Sequence, residues 1–227
     1  MTGWTKVREH IWRDAHGEPV LLHRKFIIPK GEVVFPWRTW VHCGDGRSRW
    51  LKGISTPTPP LLYGLPEFAA ASRKTGVWLA EGEADCDALR DHGVLAVTSG
   101  GVQSFSAAHA ELFRGWRGRI TLVRDRDRPG AVDAVLRYDR LRAVGIPAAR
   151  LRIVRGRVKA KGADAREHIY AGYGLDQFIE ERLSRIRKIA AKATTGDFDR
   201  AGYGSRDYVV VSTEELAGLR GWKPVRA

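Results

Sequence analysis

Four short apolar runs, Val77–Ala80, Leu95–Thr98, Ile120–Val123 and Leu151–Val154, recur through the middle of this chain, separated by stretches whose apolar residues follow helical spacing. Runs of that length suit strands buried on both faces, and the stretches between them are long enough to cross over to a parallel neighbour. These stretches are Ala84–Asp91, then Ala107–Arg114 behind a capping Ser106, then Ala131–Ala143, which Gly145 and Pro147 stop. A further helix over Glu67–Arg73 opens at Pro66. The β-α-β-α-β-α-β order dictates an α/β fold: a parallel sheet flanked by helices, built with right-handed crossovers.

The flanks read differently. Val7–Trp12 and Val20–Ile28, joined by a turn at Asp14-Ala15-His16-Gly17, predict a hairpin, and Val33–Val41 a third strand. Pro57, Pro59 and Pro60 end this small β region. At the other end Leu175–Ala193 predicts a long basic helix, followed by a glycine-rich patch at Gly196–Gly204 and a strand-helix tail. The expected organisation is a β appendage over 1–64, a central α/β domain over 65–182 and a basic helical extension over 183–227.

Lys and Arg number 39 against 26 Asp and Glu, a net charge of +13 that predicts a polyanionic partner, nucleic acid first. The two cysteines, Cys43 and Cys86, exclude a disulfide framework or a four-cysteine zinc site. No uninterrupted apolar stretch is long enough for a signal peptide or a membrane span, so a cytoplasmic protein without membrane attachment is expected. No Gly-x-x-x-x-Gly-Lys-Ser/Thr pattern occurs, which leaves any helicase activity to another chain. Residues 65–182 hold 20 basic and 16 acidic side chains, the mixture expected where a metal site adjoins a phosphate-binding wall.

In an open parallel sheet, ligands bind beyond the carboxyl ends of the strands. Glu81 ends the first central run and Gly82 follows it; Asp125 and Asp127 follow the third run, with Gly130 opening the next helix. Side chains two apart on an extended segment share a side, so Asp125 and Asp127 can share a cation. Their hard oxygen donors suit Mg²⁺.

Val77-Trp78-Leu79-Ala80-Glu81-Gly82-Glu83-Ala84-Asp85 resembles the strand-Glu-Gly-x-x-Asp motif of the TOPRIM domain, shared by bacterial-type primases, topoisomerases, recombination proteins and certain nucleases. Asp125-Arg126-Asp127-Arg128-Pro129-Gly130 resembles its Asp-x-Asp-x-x-Gly motif, and Thr98-Ser99-Gly100-Gly101 stands where that family has a glycine turn. Lys161-Gly162-Ala163-Asp164 is similar to a Lys-Asp segment of phage-type primases, with two residues between Lys and Asp here. The resemblance covers about 65–175 and is nearest to phage and mobile-element primases. It implies Glu81 as general base or acid and as a metal ligand, Asp125 and Asp127 as holders of Mg²⁺ or Mn²⁺, and Asp164 as a further metal-side acid.

The expected function is a metal-dependent primase-type nucleotidyltransferase of a phage or mobile element. It would make short primers on single-stranded DNA from nucleoside triphosphates beside a separately encoded helicase. Arg126, Arg128, Arg155, Arg157, Lys159 and Lys161 are the expected nucleotide or nucleic-acid contacts. Arg137, Arg140 and Arg142 read as a solvated helix face, and His168 with Glu167 as a helix-surface pair. Trp37 and Trp40 read as the packed face of the small sheet rather than as stacking platforms. A TOPRIM nuclease using the same carboxylates, and a non-catalytic DNA-binding subunit, are the alternatives.

Overall fold

A computed structural model of the chain describes residues 3–29, 31–43, 46–55, 60–194, 197 and 210–211. It divides into two compact units, one from Met1 to Leu61 to which Val210–Val211 adds, the other from Leu62 to Ser205.

The first unit is an antiparallel sheet. β1 (Thr5–Arg13) and β2 (Pro19–Ile27) form the expected hairpin, and the Asp14 carboxylate accepts from the backbone N–H groups of His16 at 2.9 Å and Glu18 at 3.0 Å to close its turn. The expected strand over Val33–Val41 is divided into β3 (Val33–Val34) and β4 (Trp37–His42), because Pro36 between them has no N–H to donate to a ladder. β5 (Ser48–Lys52), which the sequence reading did not anticipate, pairs with β4, and β6 (Ile54–Ser55) pairs in parallel with Val210–Val211. The order is β1-β2-β4-β5 with β3 beside β2. Trp37 stacks on His23 with ring centroids 4.0 Å apart and meets Trp12 at 5.6 Å, while Trp40 packs against Trp50 at 4.9 Å.

The second unit carries the expected α/β pattern. Its elements are α1 (Leu65–Ala70), β7 (Val77–Leu79), α2 (Glu83–Arg90), β8 (Leu95–Val97), α3 (Ala107–Glu111), β9 (Ile120–Arg124) and α4 (Arg128–Ala143), followed by β10 (Leu151–Arg155), α5 (Ala165–Tyr170), β11 (Ile179–Glu181) and α6 (Leu183–Ala190). The strand order is β11-β10-β9-β7-β8, parallel except for β11. Side-chain alternation fills both faces. Val77, Leu79, Ile120, Leu122 and Ile153 pack with α1, α3, α4 and α6 on one side. Trp78, Val123 and Val154 pack with α2 and α5 on the other. Among the described residues no helix is long and apolar enough to cross a membrane.

Three expectations need correction. Leu175–Ala193 is not one helix: a 3₁₀ turn at Leu175–Gln177 leads into β11, which pairs with the edge of β10, and α6 follows. Edge pairing wins because it also buries Phe178 and seats Glu181 against Arg124 and Arg155, contacts a continuous helix would forfeit. Arg137 is not solvated but 1 % exposed, ion-paired with Asp133 one helical turn earlier. His168 is fully buried rather than superficial; its Nδ1 accepts from the Arg157 N–H at 3.0 Å and its Nε2 donates to the Gly174 carbonyl at 3.0 Å. Of the expected C-terminal extension, the patch over 196–204, apart from Asp197, and the tail beyond Val211 lie outside the described residues.

Candidate active site

The carboxyl ends of β7 and β9 lie side by side, because β7 pairs with β9 with Leu79 opposite Leu122. Carried two residues onward, that register sets Glu81 opposite Arg124 and beside Asp125. The contact is direct: the Asp125 backbone N–H donates to Glu81 Oε2 at 3.4 Å. Glu81 is buried, and Thr98 at the end of β8 fixes its backbone by donating Oγ1 to the Glu81 carbonyl at 2.9 Å. Thr98 Oγ1 in turn accepts from Gly100 N at 3.0 Å, within a turn where Gly100 and Gly101 hold φ of 90° and 131°. Only glycine adopts such angles without strain, which accounts for the pair.

Asp127 caps α4, with Oδ1 accepting from the Gly130 N–H at 2.7 Å. A Cβ on Gly130 would stand 2.8 Å from the Asp125 carbonyl oxygen and 3.1 Å from Asp127 Oδ1, so the glycine lets the helix start close beneath the two acids. The loop over 125–128 is laced to the segment before α5: Arg126 N donates to the Ala163 carbonyl at 3.0 Å and Gly162 N to the Arg126 carbonyl at 3.3 Å. That lacing brings Lys161 and Asp164 to the site. Asp164 caps α5, accepting from Glu167 N at 2.7 Å, and pairs with Arg166 at 3.3 Å.

Asp85, on the first turn of α2, completes the acidic set. It is buried, and it accepts from the backbone N–H of Arg166 at 3.0 Å, which joins α2 to α5. Burial, then the charges of Glu81, Asp85, Asp164 and Asp127, push the Asp125 carboxyl well above the ordinary carboxylate range. Four carboxylates therefore act on a fifth here, a donor set of the chemistry that Mg²⁺ and Mn²⁺ take. Among the described residues no three His, Cys, Asp or Glu side chains close around one point as an ion's ligands, since Asp127 and Asp164 are turned to their helix caps.

Beside Asp127 opens a cavity of about 770 Å³, a size suited to a small ligand. Its cationic wall is Arg124, Arg126, Arg128, Arg155, Lys161 and Arg185. Of the expected phosphate contacts, Arg126, Arg128, Arg155 and Lys161 are thus brought together. Arg157 turns away, donating Nε to the Gln177 carbonyl at 3.0 Å, and Lys159 stands exposed outside the cavity wall.

Sequence reasoning missed Arg124 and Glu181 and gave Asp85 no role. Arg124 is buried; it pairs with Glu181 at 2.7 Å and donates Nη1 to the Asp125 carbonyl at 2.8 Å, so it anchors the loop that carries the two acids. A cation closing a mostly apolar strand immediately before the first aspartate was the available signal. Glu181 faces Arg155 at 3.2 Å and Arg185 at 3.9 Å as well, one carboxylate among three guanidinium groups.

No protein family and no curated protein matches the chain in sequence. Solved structures do match in fold. A DnaG primase catalytic domain bound to single-stranded DNA gives a TM-score of 0.55 at 18 % identity, covering 86 % of this chain and 61 % of that one. A DnaG catalytic core gives 0.56 at 18 %, covering 95 % and 65 %, and the E. coli primase catalytic core gives 0.54 at 18 %, covering 95 % and 67 %. The fold is thus like that of DnaG-type primase cores, and the chain spans about three fifths to two thirds of their length.

Proposed function

We propose that the chain is a metal-dependent primase-type nucleotidyltransferase that synthesises short primers on single-stranded DNA, using nucleoside triphosphates. The observation that carries this reading is the 3.4 Å approach of Glu81 Oε2 to the Asp125 backbone, which sets a buried carboxylate beside four other acids and next to a cation-lined cavity. Glu81 would take the proton from the attacking hydroxyl, in the position of a general base held by a rigid strand end. Asp125, Asp127, Asp85 and Asp164 are the residues that would hold Mg²⁺ or Mn²⁺. When bound, such an ion neutralises charge on the phosphoryl oxygens. Arg126, Arg128, Arg155 and Lys161 supply positive charge for the triphosphate or the strand backbone without competing for the metal-side acids. The likeness in fold to a DnaG domain bound to single-stranded DNA supports the template assignment.

A phage or mobile-element origin, which rests on the motif resemblance, and a separately encoded helicase, which rests on the lack of a Gly-x-x-x-x-Gly-Lys-Ser/Thr pattern, belong to the same proposal. The test is incubation with single-stranded template, Mg²⁺ and labelled nucleoside triphosphates. Wild-type protein is expected to build labelled oligonucleotides from the triphosphates only when template is present, and Asp125→Asn with Asp127→Asn to abolish them. Shortened template with no extension would replace this reading with the nuclease, and no change of either kind with the wild type would leave a binding subunit.

A further inference from the structure

The amino ends of β7, β9 and β10, at the opposite end of the strands from Glu81 and Asp125, carry a second concentration of positive charge. Arg73 and Lys74 precede β7, Arg117 and Arg119 precede β9, and Arg150 and Arg152 flank the start of β10. Backbone contacts hold these entries together. Arg117 N and Gly118 N both donate to the Arg73 carbonyl, at 2.7 Å and 2.9 Å, and Val77 N donates to the Arg119 carbonyl at 2.9 Å. Gly118 is wedged there, since a Cβ on it would fall 1.9 Å from the Thr75 carbonyl oxygen. Arg150 donates to the Trp116 carbonyl at 3.3 Å, and the Arg73 guanidinium donates to the Leu112 carbonyl at 2.9 Å and lies 5.4 Å from the Trp116 ring.

Arg73, Lys74, Arg117 and Arg119 are exposed, and Arg150 and Arg152 half-buried. Glu111 is already paired with Arg114 at 2.6 Å, and Glu180 acts on Arg152. Burial first, then the neighbouring Arg119 charge, hold Arg152 below the ordinary guanidinium range against the opposing charge of Glu180. Adjacent strands stand about 4.8 Å apart, so the three entries spread these cations over roughly 10 Å, wide enough to meet more than one phosphate of a strand. Trp116 is buried with its Nε1 donating to the Thr75 carbonyl, and Trp78, over which the Arg152 guanidinium lies at 5.3 Å, is buried too, which leaves phosphate rather than base contact as the chemistry on offer.

We infer that this edge binds a nucleic-acid backbone through Arg73, Lys74, Arg117, Arg119, Arg150 and Arg152, as a sequence-neutral surface separate from the candidate active site. It would hold a stretch of strand at a distance from the reacting end, and it requires neither metal nor nucleotide.

The test is fluorescence anisotropy of a labelled mixed-sequence single strand titrated with full-length protein, in chelator and without nucleotides, over a series of KCl concentrations. Lys74→Ala with Arg117→Ala and Arg119→Ala is expected to weaken binding about tenfold and to shrink the slope of log affinity against log salt by ~2, at ~0.7 per lost phosphate contact. Arg117→Lys with Arg119→Lys is expected to keep most of the affinity, and circular dichroism checks that each variant is folded. Photo-cross-linking of a bromouracil strand should label peptides spanning 73–74 and 114–119. Unchanged affinity and slope, cross-links confined to the region of Lys161, or a triple variant that loses only a poly-glutamate ligand would each overturn the inference. Because no catalysis is read, these outcomes are independent of the primer-synthesis test.

Discussion

The guanidinium of Arg137 donates to the carbonyl oxygen of Ala80 at 3.0 Å, and Ala80 is the residue before Glu81. The same Nη1 donates to the Leu79 carbonyl at 3.0 Å, and Asp133, which pairs with Arg137, accepts from Gln103 N at 2.7 Å. A buried ion pair on α4 therefore clamps the strand end that presents Glu81 and ties it to the glycine turn after β8. Arg137→Met leaves Asp133 as an unpaired buried charge and is expected to cost about 3–5 kcal/mol of stability. Asp133→Leu with Arg137→Met removes both charges and should recover most of that loss, while the freed Leu79 and Ala80 carbonyls keep primer synthesis depressed. Denaturant midpoints and initial rates of the single and double variants check both halves; equal losses in the two variants would disprove the clamp.

Gly130 lies where the first turn of α4 meets the Asp125 backbone. In Gly130→Ala the new Cβ would meet the Asp125 carbonyl oxygen at 2.8 Å and its nitrogen at 3.0 Å, both backbone atoms that cannot rotate aside. The substitution is expected to destabilise by about 1–3 kcal/mol, the usual range for overpacking, and to weaken Mn²⁺ binding by displacing Asp125 and Asp127. Calorimetric titration with Mn²⁺ alongside a thermal melt measures both effects. A variant that binds Mn²⁺ as the wild type does would separate Gly130 from the acidic site.

What was legible before the fold was known follows from how local each feature is. Buried strands announce themselves as apolar runs, so β7, β8, β9 and β10 were predicted to within a residue or two, and the acids that end them came with the strands. Arg137 was misread because a basic residue three positions from another on a helix looks solvated, and nothing local reveals that Asp133 and two strand-end carbonyls await it. β11 was misread because its residues suit a helix, and what decides their state is an edge of β10 lying about 25 residues earlier in the chain. Arg185, legible only as one cation of a basic helix, reaches the cavity because the chain turns at β11.

Asp125 makes the metal-free protein sensitive to pH in a defined direction. Its folded carboxyl is raised by burial and by Glu81, Asp85, Asp164 and Asp127. A group raised on folding contributes stability that is fully present below its unfolded value of about 3.9 and is lost as pH climbs through the folded value. In chelator, the melting temperature should therefore carry a component that falls as pH rises from the acid side, and Asp125→Asn should remove that component and raise stability at neutral pH. Mg²⁺ should restore the wild type at neutral pH and have little effect on the variant. Melts across pH in chelator and in Mg²⁺ decide it, and a variant with the wild-type pH profile would refute the assignment.

His168 supplies a pH dependence of the opposite sign. Burial, the largest influence, and the Arg157 charge hold its imidazole below the ordinary value, against a raising hydrogen bond to the Gly174 carbonyl. Nδ1 accepts from the Arg157 N–H, so the folded ring is neutral with its proton on Nε2. A group depressed on folding contributes stability that is present above its unfolded value of about 6.5 and is lost as pH falls through the folded value. Stability near His168 should thus decline on acidification below neutrality, and His168→Phe should abolish that decline. The phenyl ring fits beside Phe178 and Tyr173, which stand 3.9 Å and 5.2 Å from the imidazole, yet it strands the Arg157 N–H and the Gly174 carbonyl. A uniform loss of about 1–3 kcal/mol per unpaired group is expected at neutral pH. Denaturant melts of the two proteins between pH 5 and pH 8, taken in Asp125→Asn to silence the carboxyl component, should show a sloping profile for His168 and a flat one for His168→Phe, and parallel slopes would mean that another group titrates there.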